Sequence, residues 1–175
     1  NLTGILNDFL SLGKIEEGHV VVKKSKVDIK SLMNKVYDEL KFLLIDQELK
    51  IEIKGQFKYI YTDVFIFKNL LFNLVSNAIK YSNGGGQIYC ELVQDNKDLK
   101  LMVQDNGIGI PVNEQKYLFQ RFFRASNAEY YEGTGLGLHI AKRYVNMLDG
   151  TIEFMSEEDQ GTKFFINLPN AIYNV

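Results

Sequence analysis

The most constraining feature of the chain is the stretch at residues 133–144, which reads GTGLGLHIAKRY. Three glycines alternate with larger residues, and a helical pattern begins directly after them. The first amides of a helix have no partner within the helix, and the helix dipole favours negative charge at that end. The stretch therefore indicates a site for an anion such as phosphate, although glycines also occur in plain turns.

The composition is that of an ordinary globular domain. The chain has 175 residues, 46% of them hydrophobic and 24% charged, which is enough to bury one core. With a net charge of -2 and no basic stripe, nucleic acid is not an expected partner. The single cysteine, Cys90, excludes an intrachain disulfide and a cysteine-rich metal site, and it fits a reducing compartment.

No apolar run approaches the ~18–20 residues that span a bilayer, so we expect no membrane contact by this chain and a cytoplasmic location. The chain opens with Asn1 rather than methionine. We therefore expect it to be part of a longer protein, for which a membrane anchor is left open.

Apolar residues at helical spacing predict two helices in the first part of the chain. The opening helix ends at Gly18, and a second helix covers residues 29–46, with Asp28 as its N-cap. The apolar face of the opening helix consists of Leu2, Ile5, Leu6, Phe9 and Leu12. The inner face predicted for the second helix consists of Ile29, Leu32, Met33, Val36, Leu40 and Leu43.

Two further helices are predicted, one at about residues 63–81 and one from the glycine stretch to Leu148, with Gly150 as its stop. Alternating patterns predict a strand pair or one bent strand at residues 19–27, strands at 49–55, 57–62, 84–95 and 97–105, and a final hairpin at 150–169. Helices interleaved with mostly antiparallel strands favour an α+β sandwich, with the helices on one face of the sheet. The one domain boundary we predict separates residues 1–18 from residues 19–175.

The third helix carries Asn73, Asn77 and Lys80, which helical spacing places on one stripe. Amide oxygens suit a hard cation such as Mg²⁺, and an ammonium group suits a phosphate. For an Asn-x-x-x-Asn pair taken alone, a solvated polar face is the more ordinary explanation.

A second motif, DNGIGIP, follows a predicted strand at residues 105–111. Asp-Asn-Gly is a common turn signal, so a plain hairpin would also explain it. Gly107 and Gly109 stand beside branched apolar residues, which would allow a flat group to lie against the backbone. Asp105 at the base of such a slot would accept a hydrogen bond from an amine, and adenine offers both the amine and the flat face.

The order of these motifs is more informative than any one of them. NLVSNAIKY, DNGIGIP, FQRFFR and GTGLGL follow one another in a sequence that resembles the catalytic and ATP-binding domain of sensor histidine kinases. This is the Bergerat fold, which type II topoisomerases and heat-shock chaperone ATPases share. The resemblance extends from about residue 26 to Pro169. It implies a two-layer sandwich, in which about three helices cover one face of a mixed, mostly antiparallel sheet, plus an N-terminal helix.

The resemblance also implies roles for the matching residues. Asn77 would be the main Mg²⁺ ligand with Asn73 beside it, Lys80 would meet the phosphates, and Asp105 would accept from the adenine amino group. Arg121 and Arg124 would neutralise phosphate charge, although a structural ion pair is equally compatible with either. The implied catalytic residues are Asn73, Lys80, Arg121 and Arg124.

The implied ATP-binding set is larger. It takes in the helix stripe, the DNGIGIP loop, the glycine stretch and one residue of the closing strand: Asn73, Asn77, Lys80, Tyr81, Asp105, Gly107, Ile108, Gly109, Ile110, Gly133, Thr134, Gly135, Leu136, Gly137, Leu138 and Thr162. Residues 111–132 would form a mobile lid over the nucleotide.

The chain also departs from a complete kinase. Its two histidines, His19 and His139, lack the acidic residue and the proline that follow the family's acceptor histidine, so we expect both to be surface or packing residues. Residues 1–18 resemble only the second half of the dimerisation hairpin. The family's ATP hydrolases usually carry a glutamate at the position of Asn73, and an amide cannot activate water.

The resemblance therefore implies a bacterial two-component protein-histidine kinase that uses ATP and Mg²⁺. This chain would donate the γ-phosphoryl group of ATP to a histidine on the dimerisation domain of its homodimeric parent, for relay to the aspartate of a response regulator receiver domain. A nucleotide-sensing module that binds ATP without phosphotransfer is the alternative. An anti-sigma-factor serine kinase would lack the opening helix.

Overall fold

The computed structural model describes residues 6, 9–10, 12–13, 17, 20–82 and 84–173. In these ranges the chain forms three α-helices: α1 (Ile29–Leu40), α2 (Val64–Tyr81) and α3 (Gly137–Met147). Single turns of 3₁₀ helix lie at Lys41–Leu43, Gln115–Tyr117 and Ser126–Ala128. The strands are β1 (Ser25–Asp28), β2 (Glu48–Lys54), β3 (Tyr59–Thr62), β4 (Gln87–Asp95), β5 (Asp98–Gln104), β6 (Thr151–Glu157), β7 (Gly161–Leu168) and β8 (Ile172–Tyr173).

The main sheet has five strands in the order β2-β4-β5-β7-β6. β2 runs parallel to β4, and the other neighbours are antiparallel. The inward residues of the central strands, such as Ile88, Leu92 and Leu101, are almost fully buried. They form one hydrophobic core with the apolar faces of the helices. The predicted α+β architecture, with a mixed and mostly antiparallel sheet, is therefore confirmed.

The strands divide between two sheets, which the sequence pattern did not indicate. β3 pairs with β1 on one side and with β8 on the other, and both pairings are antiparallel. Ile60 in the middle of this small sheet is fully buried, and Ile172 is nearly so. The strand predicted at residues 19–27 forms only from Ser25, where pairing with β3 begins.

The start of α1 is as predicted, but its end is not. The Asp28 carboxylate accepts a hydrogen bond from the Ser31 amide at 3.0 Å, which makes it the N-cap. The α-helix ends at Leu40, and the chain tightens into a 3₁₀ turn. Leu43, predicted to face the core, is 40% exposed, because the tighter turn rotates it out of the apolar stripe.

At the end of α3, two residues share the role that we predicted for Gly150. Asp149 adopts the left-handed conformation, with φ 61°. The Gly150 amide donates to the Val145 carbonyl at 2.9 Å, which completes the helix stop. Gly150 itself is required for close approach, because a Cβ there would lie 2.6 Å from the Asn167 carbonyl oxygen.

The opening helix is described at few positions. Residues 6, 9–10 and 12–13 are helical, and Leu12 is buried, whereas Leu6 and Phe9 are about half exposed. The Phe9 ring lies 6.2 Å from that of Phe122. The predictions for Leu2, Ile5, Gly18 and His19 fall outside the described residues. Among the helices that the structure describes, none has the length and hydropathy of a bilayer-spanning segment.

Asp63 connects α2 to the segment that leads into β1. Its Oδ1 caps α2 by accepting from the Ile66 amide at 3.1 Å, and its Oδ2 accepts from the Lys23 amide at 2.7 Å. The side chain is buried, with 8% of its surface exposed. One carboxylate therefore fixes both the start of α2 and the path of residues 20–24.

We expect Asp63→Ala to lower the free energy of unfolding by about 2–3 kcal/mol, because it removes a helix cap and leaves a second, partly buried amide unpaired. Asp28→Ala is the matched control, since that carboxylate caps α1 from an exposed position, and it should cost about 1 kcal/mol. Urea denaturation of both variants measures the difference. Equal losses would show that the Lys23 contact contributes nothing to stability.

Candidate functional site

One cavity of about 1180 Å³ collects the residues that the sequence singled out. It is lined by the second half of α2, the loop after β5, the lid, the glycine stretch, the start of α3, and β7. Every predicted site residue lines it except Gly107, Leu136 and Arg121. Gly107 and Leu136 are buried, and Arg121 is exposed on the surface. Three motifs that are far apart in the chain therefore meet in one place.

The start of α3 lies against the polar stripe of α2. A Cβ on Gly137 would lie 3.4 Å from Asn73 Oδ1 and 3.8 Å from Asn77 Oδ1. The Asn73 amide group donates to the Asn69 carbonyl at 2.9 Å, which fixes its orientation and leaves its oxygen toward Gly137. The side-chain amides of Asn73 and Asn77 therefore converge where the helix begins, with Asn77 Nδ2 at 3.6 Å from the same Cβ position.

These oxygens fit a hard divalent cation, but they do not make a complete site. Within the described ranges, no group of three or more His, Cys, Asp and Glu side chains could hold a metal ion. Mg²⁺ requires near-octahedral oxygen coordination and commonly takes part of it from a phosphate ligand and from water. Asn73 and Asn77 can therefore serve Mg²⁺ only together with an anionic ligand.

Positive charge collects at the same end of the cavity, which we call the lysine end and define by Lys80 and Gly133. A Cβ on Gly133 would lie 2.7 Å from the Lys80 ammonium, which also lies 4.3 Å from the Tyr81 ring centroid. No side chain caps the start of α3, and Thr134 Oγ1 accepts from the Leu136 amide at 3.1 Å. The helix dipole and the ammonium group together favour an anion here.

A second part of the cavity lining, which we call the acid end, is defined by Asp105. Its Oδ1 accepts from the Gly107 amide at 2.8 Å and from the Thr162 amide at 3.2 Å. Oδ2 receives no hydrogen bond from the part of the chain that the structure describes. Burial raises the pKa of Asp105, and the two amide hydrogen bonds oppose that rise. The cavity therefore presents a buried acceptor at Asp105 as well as the ammonium group of Lys80.

The glycines of the DNGIGIP loop serve a purpose that was not predicted. A Cβ on Gly107 would lie 2.0 Å from the Tyr81 carbonyl oxygen, and one on Gly109 would lie 1.9 Å from the Glu157 carbonyl oxygen. Gly109 also has φ 61°. The protein's own backbone therefore explains why both positions are glycine, and a role for Gly107 and Gly109 in shaping a base pocket stays a prediction.

The lid is tied to the body of the domain. Arg124 Nη2 donates to the carbonyls of Ala128, Glu129 and Tyr131. These contacts hold the lid together, and they do not include the structural ion pair that was the alternative to a phosphate contact. Tyr131, at the end of the lid, places its ring 5.2 Å from that of Tyr81.

Two amide side chains that the sequence analysis missed fasten the lid to the DNGIGIP loop. Gln115 Nε2 donates to the carbonyls of Ile110 and Ser156, each at 3.0 Å. Asn127 Nδ2 donates to the Ile108 carbonyl at 3.2 Å and to the Gly109 carbonyl at 3.1 Å. Nothing in the sequence separates these amides from other polar loop residues, because their partners are backbone atoms.

The side chains of His139 and Cys90, which could in principle act as nucleophiles, are both engaged in packing. His139 Nδ1 lies 2.9 Å from the Phe119 carbonyl oxygen, so this histidine holds the base of the lid, in agreement with the packing role expected for it. Cys90 is buried in β4, and burial raises the pKa of its thiol to about 12. Neither side chain lines the cavity.

Comparisons with known proteins agree with this geometry. Residues 62–172 match the family described as histidine kinase-, DNA gyrase B- and HSP90-like ATPases. The autoinducer 2 sensor kinase/phosphatase LuxQ of Vibrio parahaemolyticus is 34% identical over 97% of this chain, which spans 21% of the length of LuxQ.

Solved structures of sensor kinases share the fold. A mycobacterial sensor histidine kinase, MprB, superposes on 85% of this chain over its full length, with a TM-score of 0.75 and 26% identity. Full-length ShkA in complex with AMPPNP superposes on 99% of this chain, which covers 37% of ShkA, with a TM-score of 0.84 and 21% identity. The ShkA likeness shows the fold alone.

Gly109→Ala should lower the free energy of unfolding by roughly 3 kcal/mol or more, because the left-handed backbone is strained and the new Cβ overlaps a carbonyl. Gly137→Ala should change it by less than about 0.5 kcal/mol, because its Cβ would meet only the two asparagine amides at ordinary distances. Thermal and urea denaturation measure both variants. A stable Gly109→Ala protein would contradict the close packing of this loop.

The raised pKa of Asp105 predicts a pH dependence of stability. A carboxyl whose pKa is higher in the folded state binds more protons there, so folding is favoured at low pH. Relative to Asp105→Asn, the unaltered protein should lose stability as pH rises from the ordinary aspartate range through the raised pKa. Urea denaturation of both proteins at a series of pH values measures this difference in the free energy of unfolding.

Asp98 is the control for this pH series, since its exposed carboxylate accepts from the Asn170 amide and from Asn167, which lowers its pKa. Relative to Asp98→Asn, stability should fall as pH decreases, which is the opposite direction. Slopes of the same sign in both comparisons would contradict the assignment of Asp105.

Proposed function

The chain belongs to the histidine kinase-, DNA gyrase B- and HSP90-like ATPase family, and on that premise we propose that it is the ATP-binding catalytic domain of a sensor histidine kinase. The observation that carries the proposal is the meeting of the α2 stripe, Asp105 and the glycine stretch in one cavity. Because the chain spans only a fifth of LuxQ, the activity of the whole protein is part of the proposal.

The two ends of the cavity suit the two ends of ATP. The buried acceptor of Asp105 at the acid end would take a hydrogen bond from the adenine amino group. The Lys80 ammonium and the uncapped start of α3 at the lysine end would receive the phosphates. Charge complementarity at both ends therefore gives the nucleotide one direction in the cavity.

Asn73 and Asn77 would hold Mg²⁺ through their amide oxygens, in company with oxygens of the bound nucleotide. When bound there, the cation would neutralise negative charge on the phosphoryl group that is transferred. The chain's own contribution is positioning: α2 and α3 present fixed donors, and the lid shields them from water.

The acceptor of the phosphoryl group would be a histidine ring nitrogen on the dimerisation domain of the parent. The nitrogen would form a bond to the γ-phosphorus as the bond to the bridging oxygen breaks, and ADP would leave with the electron pair. Asn73 supports transfer to a protein nucleophile over hydrolysis, since an amide cannot take a proton from water. The phosphoryl group would then pass to an aspartate of a response regulator receiver domain.

The domain division supports the same function. We assign residues 1–18 to the tail of the dimerisation hairpin and residues 19–175 to the catalytic domain of a homodimeric parent that acts in the cytoplasm, whether or not a membrane anchors it. The helical residues around Leu12 and the contact of Phe9 with Phe122 support a helix that meets the lid. A movement of that helix would therefore change its contact with Phe122 of the lid.

The proposal is tested with γ-labelled ATP. This chain alone should bind Mg·ATP but carry no acid-labile label, because it lacks an acceptor histidine in the required setting. Addition of the parent's hairpin should place label on the hairpin. Asn77→Ala should weaken Mg²⁺-dependent ATP binding by about tenfold or more in calorimetry, since one charge-assisted metal contact is lost.

Asn69→Ala is the matched control for Asn77→Ala, because Asn69 lies two turns earlier on the same helix and its side chain donates to the Phe65 carbonyl. It should leave Mg²⁺ dependence unchanged. Binding of ATP without transfer to the hairpin would favour the alternative, a nucleotide-sensing module. Stoichiometric label on the chain alone, lost in His139→Ala, would overturn both the donor role and the packing role of His139.

A further inference from the structure

Asn127 carries an unpaired acceptor next to the cavity. Of the residues that the structure describes, three have a buried side-chain atom without a hydrogen-bond partner: Asn127 Oδ1, His139 Nε2 and Asn167 Oδ1. Only Asn127 also lines the cavity. Buried polar atoms without partners are rare in folded proteins, and each one calls for an explanation. An acceptor at a binding cavity can be explained by a donor that the ligand supplies.

The orientation of the Asn127 amide is fixed by its neighbours. Its nitrogen donates to the carbonyls of Ile108 and Gly109, at 3.2 and 3.1 Å. Reversing the group would place its oxygen against two carbonyl oxygens, which repel it. The atom without a partner is therefore the oxygen, and what it lacks is a donor.

Asn127 is held by the same loop that binds Asp105. The loop that holds Asn127, residues 107–109, also supplies the Gly107 amide that binds Asp105 Oδ1. Both bonds recorded for the Asp105 carboxylate go to Oδ1, so Oδ2 remains available. One loop therefore holds two side chains that each keep an acceptor.

We propose that Asn127 is a second acceptor for the 6-amino group of the bound adenine, directly or through one water, and so a specificity-determining residue. The inference rests on the proposed function, because it names a further base contact at that site. A 6-amino group carries two hydrogens, one for Asp105 and one for Asn127. A purine with an oxygen at position 6 would present an acceptor to two acceptors, which a buried site rejects strongly.

The position of Asn127 on the lid gives the contact a second consequence. Its nitrogen already fastens the lid to the loop at residues 108–109. A base that donates a hydrogen bond to Asn127 Oδ1 would add a further contact through the side chain that already connects the lid to this loop. Recognition of the 6-amino group and retention of the closed lid would then depend on one residue.

Calorimetry with two nucleotides tests the proposal. The probes are Mg·ATP and the triphosphate of purine riboside, which lacks the 6-amino group. Asn127→Ala should weaken ATP binding about tenfold more than it weakens binding of the deamino nucleotide, for which only the lid contact is lost. Equal losses for both nucleotides, or no loss for either, would overturn the proposal, because a lid fastener without base contact affects both alike.

Gln115→Ala is the control, because Gln115 also fastens the lid with one amide to two carbonyls but does not line the cavity. Its effect should be the same for the two nucleotides. A measurement on the unaltered protein covers the case in which Asn127→Ala does not fold. N6-methyl-ATP, which keeps one amino hydrogen, should bind about tenfold more weakly than ATP, and equal affinity would overturn the proposal.

The same titrations separate the two proposals. If the unaltered protein binds no ATP, the proposed function fails, and the role of Asn127 fails with it. If it binds ATP and Asn127→Ala shows no discrimination between the nucleotides, only the role of Asn127 fails.

Discussion

The contact on which the site depends is the close approach of α3 to the polar stripe of α2. Gly137 stands where a side chain would meet the Asn73 and Asn77 amides, and Gly133 stands against the Lys80 ammonium. At these positions the start of α3, which no side chain caps, lies beside two side-chain amides and a positive charge. The cation and anion determinants therefore share one end of the cavity.

The acid end is built differently, from backbone contacts that leave little freedom. The Asp105 amide donates to the Thr162 carbonyl at 2.9 Å, and the Thr162 amide returns a bond to the Asp105 carboxylate. The Gly109 backbone meets that of Glu157 so closely that no Cβ fits. A rigid acid end and a lid held by side chains give the site one fixed wall and one wall that can move without loss of the core.

The lid is held through amide and guanidinium groups that bind backbone carbonyls. Arg124 organises the lid internally, whereas Gln115 and Asn127 fasten it to the DNGIGIP loop. Such bonds exchange readily with water when the lid opens, so each adds little to the net stability of the closed form. Opening of the lid for nucleotide entry would therefore cost little, and residues on the lid can still contribute to recognition.

The sequence by itself determined whatever depends on near neighbours in the chain: the cap at Asp28, the stripe on α2, and the motifs whose order indicates the family. The tertiary structure alone decided the second sheet, the outward turn of Leu43, the filling of the space at Gly109 by Glu157, and the lid contacts of Arg124 and Asn127. Caps and helical spacing act within a few residues, so a pattern can reveal them. Strand partners, close backbone approaches and bonds to distant carbonyls depend on atoms that only folding brings together, and a carbonyl is the same in every residue.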